Sequence, residues 1–198
     1  MNKDQLRQQT LSRRRAMTAQ ARTSASSCIQ QRLFSHLIQA SEQDNKLRDA
    51  PLLAYRSLSD EVDTTRIFES CTELADRDIY APVTQHAGDM HWQHITADTV
   101  WETGSFGILE PAEGSPWSPA GGPAILACPL VGFDRNGNRL GLGKGCIDRW
   151  LGGAKKHILL SIGLAFACQE CSPIPAEDHD IPLDIIITEE EIIACRNY

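Results

Sequence analysis

The organisation of the chain is clearest in residues 124–151, whose sequence is AILACPLVGFDRNGNRLGLGKGCIDRWL. The apolar run Ala124–Cys128 is typical of a buried strand, which ends at Pro129. After a turn, the glycine loop (Gly141–Gly145) precedes a short helical pattern. Glycine allows positive φ and a close approach of backbone N–H groups to a ligand, and a helix N-terminus adds unpaired donors. With the charge of Lys144, these features indicate a phosphate-binding loop.

Two common nucleotide-binding motifs do not fit this loop. A Walker A loop requires glycine at position 138 and serine or threonine at position 145, where the chain has Asn138 and Gly145. The fingerprint GxGxxG also fails, because the third glycine comes one position early. Taken alone, the glycines therefore indicate a phosphate site and a tightly packed turn about equally.

Outward from this stretch, predicted strands alternate with predicted helices. Helical patterns cover 3–16 and about 19–40, with Thr18 as the second N-cap, and another runs from Thr64 or Thr65 through Leu74. Strands are predicted at 52–57, 78–83, 91–95, 124–128, 158–166 and 185–188. The strands are apolar runs without period-two alternation, which predicts a mostly parallel sheet covered on both faces. The sequence thus predicts an α/β fold with N-terminal helices, in a single domain over 1–198.

The remaining segments are predicted to be connections. We expect a loop at 41–49 and a long ordered loop or lid at 104–123, which is rich in glycine and proline. The three glutamates 189–191 follow Thr188, in the pattern of a capped helix start.

Composition excludes several classes of protein. The 198 residues are 41% hydrophobic and 23% charged, which disfavours disorder, and no apolar run approaches the roughly 20 residues that span a bilayer. The net charge is −7, yet residues 1–22 hold six basic residues against Asp4 alone. An acidic body with one basic arm disfavours nucleic-acid binding and fits a small polyanion such as a nucleotide. The odd number of seven cysteines favours a reducing compartment, so we expect a cytoplasmic protein.

A longer pattern makes the interpretation specific. The string FDRNGNRLGLGKG, followed by a hydrophobic pair and Asp148-Arg149, closely resembles the signature of the 5-formyltetrahydrofolate cyclo-ligase family, also called methenyltetrahydrofolate synthetase. The resemblance covers nearly the whole chain, in order. Its other segments are Lys3-x-x-Leu6-Arg7, Arg13–Met17, Ser57-x-x-x-Glu61-Val62-Asp63-Thr64, Tyr80-x-Pro82-Val83, Gly107–Pro111 and His179–Pro182.

The resemblance implies a fold, a reaction and a set of site residues. The family fold is a three-layer α/β/α domain, and the reaction converts 5-formyltetrahydrofolate to 5,10-methenyltetrahydrofolate with ATP as co-substrate and Mg²⁺ as cofactor. The implied ATP-binding residues are Lys3, Arg7, Arg139, Leu140, Gly141, Leu142, Gly143, Lys144, Gly145, Cys146 and Ile147. The implied folate-binding residues are Arg7, Arg56, Glu61, Lys144, Gly145, Cys146 and Ile147, with Glu61 on the pterin. The implied catalytic residues are Lys144, Arg139 and Asp148, and the implied metal ligands are Asp148 and Asp180. We expect a monomer whose partners are small molecules, reduced folate and ATP, with neither nucleic acid nor membrane.

Two positions depart from the family pattern. Cys146-Ile147 replaces a pair of aromatic residues expected to pack on folate, and Arg56 replaces an apolar residue. Two alternatives therefore stay open: a diverged paralogue that uses the ATP site on another acceptor, and a non-catalytic nucleotide- or folate-binding protein. Intact Lys144, Asp148 and Asp180 favour an enzyme, while Cys146-Ile147 favours divergence.

Three further patterns have simpler explanations. Cys168-x-x-Cys171 stands alone, which indicates two ordinary thiols, and His91-x-x-His94 lacks a third ligand in reach, which indicates surface histidines. At most two of the three arginines 13–15 share a helix face, so at least one is expected to be solvated.

Overall fold

The computed structural model describes residues 1–69, 77–85, 89–104, 107–177 and 180–195. Within these residues the helices are α1 (Lys3–Ala16), α2 (Ala19–Gln43), α3 (Asn45–Asp49), α4 (Thr65–Glu69) and α5 (Cys146–Ala154). The strands are β1 (Leu52–Ala54), β2 (Ile79–Thr84), β3 (Met90–Ile95), β4 (Trp101–Thr103), β5 (Leu109–Pro111), β6 (Ala124–Pro129), β7 (Gly132–Phe133), β8 (Arg139–Leu140), β9 (Ile158–Leu164), β10 (Ile185–Ile187) and β11 (Ile192–Ala194). Short 3₁₀ turns occur at Pro119–Gly121, Lys155–His157 and Ala167–Gln169.

Seven of these strands form one central sheet in the order β11-β10-β9-β6-β1-β2-β3. The five inner strands, from β10 to β2, run parallel, and the two edge strands, β3 and β11, are antiparallel to their neighbours. The predicted mostly parallel α/β fold is therefore confirmed. Two hairpins, β4-β5 and β7-β8, lie outside this sheet.

Both faces of the sheet are buried, which explains why the strands lack polar alternation. On one face, Ile125 and Ala127 of β6 share a core with Leu33 of α2. On the other face, the intervening Leu126 shares a core with Leu151 of α5. Successive strand residues point to opposite faces, so helices on both sides require an apolar residue at every position. The three layers follow from that pattern.

The predicted bounds of the first helix and the predicted start of the second hold, but the second helix runs past position 40 and the loop prediction for 41–49 is wrong. The Thr18 side chain accepts a hydrogen bond from the Ala21 N–H, as a helix N-cap should. After it, α2 continues to Gln43 and α3 occupies Asn45–Asp49. The buried Arg77 side chain stabilises the segment of α3 by donating hydrogen bonds to the carbonyls of Leu47 and Ala50. That contact comes from a residue some 30 positions away, so local polarity did not predict the helices.

The expected helix start at 189–191 is also wrong. The Thr188 hydroxyl does accept from the backbone N–H groups of Glu190 and Glu191, in the manner of an N-cap. The Thr188 N–H, however, donates to the Glu191 carbonyl, which closes a tight turn. The chain reverses there, and β11 pairs antiparallel with β10. The capping hydrogen bonds predicted from the sequence are therefore formed, but they stabilise a turn between β10 and β11 and not a helix.

Other boundaries need smaller corrections. The strand predicted at 52–57 ends at Ala54, and the segment predicted as one loop at 104–123 contains β5, which pairs with β4. Thr64 donates its hydroxyl to the Tyr55 carbonyl, while Asp63 accepts from the Thr65 N–H at the start of α4. The predicted continuation of that helix to Leu74 lies outside the described residues. Within the part of the chain that the structure describes, no helix combines the length and apolarity needed to cross a membrane.

Candidate active site

A cavity of about 240 Å³ opens where parallel strands of the central sheet end. Its wall includes residues that follow β1, the last residues of β2, and the segment Pro129–Val131 at the end of β6. The glycine loop and the first turn of α5 complete the wall. Ligands of open α/β sheets bind at the carboxyl ends of the strands, so the cavity lies where the fold class places a site.

A hairpin between β7 and β8 holds the glycine loop beside this cavity. The buried Asp134 side chain accepts from the N–H groups of Asn136 and Asn138, at 2.9 and 3.1 Å, and fixes the turn. Gly137 has φ of 84°, and a Cβ atom there would lie 2.4 Å from the Leu183 carbonyl oxygen. Only glycine meets both conditions. The turn is thereby locked against the segment that leads to β10, which positions Arg139 and the loop after it.

The glycine loop presents a cation and a helix N-terminus to the cavity. Gly143 and Gly145 have φ of 90° and 64°, and Gly145 is the N-cap of α5. Lys144 between them is exposed, lines the cavity and makes no ion pair with any described residue. Cys146 and Ile147 follow on the first turn of α5 and also line the cavity. The predicted phosphate-binding features therefore converge on one wall.

Helix α1 carries Lys3 and Arg7, the two basic residues of the N-terminal arm that are expected to bind ATP, and places Arg7 against this loop. The Arg7 Nε donates to the Gly141 carbonyl at 2.8 Å, and Arg7 also pairs with Asp4. The Lys3 ammonium lies 2.6 Å from Asp180 and 3.2 Å from Glu177. Neither Lys3 nor Arg7 is among the described residues that line the cavity. Arg7 contacts the glycine loop from outside the cavity, whereas Lys3 contacts the segment that contains Asp180.

Both expected metal ligands are paired with cations of the chain. The buried Arg139 guanidinium donates to the Asp148 carboxylate and to the Ile181 carbonyl, next to Asp180. Asp180 itself binds Lys3. The structure thus brings the segments of the two carboxylates to the same arginine, Arg139, although only Asp148 lines the cavity. No group of three or more metal-ligating side chains occurs among the residues described.

Glu61 is a buried carboxylate in the cavity wall, with 8% of its surface exposed. It accepts from the Leu58 N–H at 2.9 Å, and its Oε1 lies 3.9 Å from a guanidinium nitrogen of Arg14. Burial raises the pKa of Glu61, against the opposing effects of the Leu58 hydrogen bond and the Arg14 charge. A half-satisfied carboxylate at this depth can accept further N–H groups from a ligand.

Arg14 is a site-supporting residue that sequence analysis did not identify. Its side chain is 2% exposed and pairs with Asp60 at 2.9 Å, beside its contact with Glu61. By contrast, the Arg15 side chain is 69% exposed, which confirms that at least one of the three arginines is solvated. The signal was present in the helical pattern, since position 14 shares the buried face of α1 with Leu6 and Thr10.

Arg56 lines another part of the cavity wall. Its guanidinium carbon lies 4.5 Å from the centre of the Trp101 ring and 5.1 Å from that of Phe68. These rings come from β4 and α4 and meet edge to face. The arginine at this position is therefore held by two aromatic residues distant in sequence.

Sequence analysis also did not predict the apolar part of the cavity wall. Met90 and Trp92 of β3 contribute to it, together with Pro82, Ile108 and Leu130. Glu110 lines the cavity too, is buried, and accepts from the Thr84 N–H at 3.1 Å. The position of Leu130 directly after β6 was a usable signal, because residues there face the ligand crevice. Two expected site residues, Leu140 and Gly143, do not line the cavity, and Leu140 packs in a small core with Leu6 instead.

The two minor patterns behave as expected. Cys168 lies 3.6 Å from the Met17 sulfur and Cys171 donates to the Phe133 carbonyl, and burial raises the pKa of both thiols. All six described cysteines are free. His94 contacts Asp78 at 3.2 Å.

Comparison with known proteins identifies the family of the chain. A model of the 5-formyltetrahydrofolate cyclo-ligase family matches residues 1–189. The chain is 33% identical over 164 residues to a 5-formyltetrahydrofolate cyclo-ligase of Haemophilus influenzae, covering 80% of this chain and 84% of that protein. It is 29% identical over 195 residues to the Mus musculus enzyme of the same name, covering 93% and 92%.

Solved structures show the same relationship. The NMR structure of Aquifex aeolicus 5,10-methenyltetrahydrofolate synthetase superposes with a TM-score of 0.73 at 28% identity, covering 100% of this chain and 95% of that one. A synthetase from Mycoplasma pneumoniae, 24% identical, shares the fold with a TM-score of 0.73 over 96% of this chain and 99% of the other. The resemblance in the glycine loop therefore extends to the whole architecture, and the chain belongs to the 5-formyltetrahydrofolate cyclo-ligase family.

Proposed function

We propose that the chain is an ATP-dependent ligase that converts 5-formyltetrahydrofolate to 5,10-methenyltetrahydrofolate, with release of ADP and phosphate. One observation carries this proposal. A single cavity joins a buried carboxylate, Glu61, to a glycine loop at a helix N-terminus, where Lys144 has no ion-pair partner among the described residues. The carboxylate can accept hydrogen bonds from the amino-pyrimidine edge of a pterin, and the glycine loop with Lys144 can bind a triphosphate.

The reaction needs positioning and charge neutralisation more than side-chain acid–base chemistry. The formyl oxygen attacks the γ-phosphorus in line, so an O–P bond forms while the bond from that phosphorus to the ADP oxygen breaks. The neighbouring folate amine nitrogen then attacks the activated formyl carbon. Its C–O bond breaks, phosphate departs, and the amine proton is lost to solvent. Lys144 and the N–H groups of the glycine loop stabilise the charge on the transferring phosphoryl group.

Glu61 orients the acceptor for this attack. Its carboxylate accepts paired N–H groups of the pterin, and the Leu58 N–H and Arg14 hold it in place. A reacting oxygen held within about 3–3.5 Å of its target gains most of the benefit of an intramolecular reaction. Lys3 and Arg7 bind ATP from the other side of the glycine loop, and Arg7 also approaches the folate.

We propose Asp148 and Asp180 as the residues that hold Mg²⁺. Their carboxylates are the hard oxygen donors that Mg²⁺ prefers, and Mg²⁺ sites beside nucleotides use one or two carboxylates together with substrate phosphates. When bound, the ion supplies positive charge to the phosphate oxygens. Binding of Mg²⁺ would compete with the ion pairs from Asp148 to Arg139 and from Asp180 to Lys3.

We also propose a cytoplasmic location, which the free thiols support. The single domain over 1–198 and the monomeric state stay predictions from the sequence.

The direct test measures the absorbance of methenyltetrahydrofolate formed from 5-formyltetrahydrofolate, with and without ATP. ATP-dependent product formation supports the ligase. ATP hydrolysis with a different acceptor would favour the diverged paralogue, and tight binding of ATP or folate without turnover would favour a binding protein.

The first prediction concerns the glycine loop. Lys144→Ala should raise the KM for ATP by roughly one to two decades, because a hydrogen bond to a charged group contributes about 1.5–3 kcal/mol and each 1.4 kcal/mol is tenfold. Its melting temperature should match that of the wild type, since Lys144 is exposed. Lys156→Ala, an exposed lysine outside the cavity, is the matched control. Wild-type kinetics at limiting ATP in Lys144→Ala would remove Lys144 from the site.

The second prediction concerns the metal. Asp148→Asn keeps the shape of the side chain and removes its charge, so it should raise the Mg²⁺ concentration required for half-maximal rate by at least about tenfold. A purely structural role through Arg139 would lower the rate at every Mg²⁺ concentration alike. Asp98→Asn, at an exposed position, should leave the Mg²⁺ titration unchanged.

The third prediction concerns the missing aromatic pair. Stacking of an aromatic ring on a base contributes about 1–3 kcal/mol, so Cys146→Tyr with Ile147→Tyr should lower the dissociation constant for 5-formyltetrahydrofolate by roughly one decade or more at saturating ATP. Cys146→Tyr alone serves as a second variant, because Ile147 also packs on the core. Equal or weaker affinity in both variants would contradict the stacking explanation and favour another acceptor.

The fourth prediction concerns the cost of burying Glu61. Because burial raises its pKa in the folded state, ionisation favours the unfolded chain, and stability falls as the pH rises above about 4.5, the ordinary value for glutamate. Glu61→Gln should therefore melt at a higher temperature than the wild type at pH 7, and the difference should vanish near pH 4. Its KM for folate should rise about tenfold, since one acceptor oxygen replaces two.

Thermal melts from pH 4 to pH 8 check the stability part of this prediction, with the exposed Glu113→Gln as control. A lower melting temperature of Glu61→Gln at pH 7 would mean that the Arg14 contact outweighs the cost of burial.

A further inference from the structure

Arg56 is a partly buried cation in the cavity wall. Its guanidinium stacks against Trp101 and Phe68 and makes no hydrogen bond with any described residue. A guanidinium offers five N–H donors in a planar fork, and an aromatic ring occupies only its face. The donor edge therefore remains available to a ligand in the cavity.

The surroundings of Arg56 differ from those of Glu61. The carboxylates whose charge acts on Arg56 are Asp63 and Glu69, whereas Glu61 is influenced by Arg14 and Asp60. The two cavity residues thus lie in separate electrostatic environments. Glu61 is buried and Arg56 only partly so, which places Arg56 toward the solvent side of the wall.

The size of the cavity indicates which part of a substrate meets each residue. Pockets for whole ligands typically measure about 300–1,000 Å³, and this one measures about 240 Å³. A bicyclic ring beside Glu61 fills much of that volume, so the rest of a folate extends toward solvent. The anionic groups of a reduced folate are its glutamate carboxylates, at the end remote from the pterin.

We propose that Arg56 forms a carboxylate-binding subsite that recognises the glutamate end of the folate substrate. The subsite deepens the proposed function and rests on it for the identity of the ligand. Trp101 and Phe68 hold the guanidinium in one orientation, which reduces the entropy lost when its fork binds a carboxylate. A bidentate arginine–carboxylate pair is among the stronger polar contacts in proteins.

The experiment compares two substrates in three proteins. The substrates are 5-formyltetrahydrofolate and its diamide, in which both glutamate carboxylates are amides and the reacting nitrogens are retained. In the wild type the KM for the free acid should be roughly 10- to 100-fold lower than for the diamide. Arg56→Gln should raise the KM for the free acid toward that of the diamide, leave the diamide value unchanged, and leave kcat and the KM for ATP unchanged. Arg56→Lys should recover part of the preference, because it keeps the charge without the fork.

Arg66→Gln is the matched control, since the Arg66 guanidinium also lies over a ring, 5.5 Å from the centre of Phe34, but does not line the cavity. Melting temperatures confirm that each variant is folded. Should Arg56→Gln not fold, the comparison of acid with diamide in Arg56→Lys and the wild type carries the test alone.

Two outcomes would overturn the subsite. An equal rise in KM for acid and diamide would mean that Arg56 only shapes the wall, and a rise in the KM for ATP would mean that it binds phosphate. Failure of the proposed function is distinguishable, because equilibrium titrations of tryptophan fluorescence with both folates measure the preference without turnover. Preference for the acid in binding, with no product formed, would retain the subsite and reject the ligase.

Discussion

The buried guanidinium of Arg14 is the interaction on which the arrangement of the site depends. A buried charge is strongly unfavourable unless it is paired, and Arg14 finds its partners in the segment after β1, where Asp60 and Glu61 lie. It also contacts the Leu130 carbonyl at the end of β6. Helix α1 therefore has one favourable position, across the ends of two central strands. That position brings Arg7 to the Gly141 carbonyl, at the start of the glycine loop.

The sequence predicted those features whose causes are local. Apolar runs predicted the inner strands because a parallel sheet under two helical layers buries every strand residue, as at Leu52–Ala54. Capping predicted the start of α2 at Thr18 because the interaction spans only three residues. The same local rule failed at Thr188, where identical cap bonds occur in a turn, since the pairing of β11 with β10 determines the chain direction there.

In the candidate site, too, the sequence predicted what depends on local sequence and did not predict what depends on tertiary contacts. The glycine loop, Lys144 and Asp148 occur within one short segment, so their proximity follows from the sequence. The pairing of Arg139 with Asp148, and of Lys3 with Asp180, depends on tertiary contacts and could not be predicted from spacing. These pairs matter for the site, because each carboxylate proposed for Mg²⁺ is held in position by a cation of the chain. Trp92 was missed for another reason: it lies on the antiparallel edge strand β3, which the topology, not its own pattern, brings to the cavity.

The two departures from the family pattern have a common physical meaning. Aromatic residues at 146–147 would contact the flat ring of a folate, and their contribution of about 1–3 kcal/mol depends on surface contact and not on charge. Cys146 and Ile147 cannot make that stacking contribution to the ring of a folate. Arg56, supported by Trp101 and Phe68, offers a contribution of similar size at the carboxylate end. With the proposed Arg56 subsite, recognition would shift from the shape of the ring toward the charge of the tail. A pocket of that kind tolerates changes in the heterocycle better than loss of the carboxylates, because the Arg56 guanidinium makes no hydrogen bond with any described residue that would replace the lost contact.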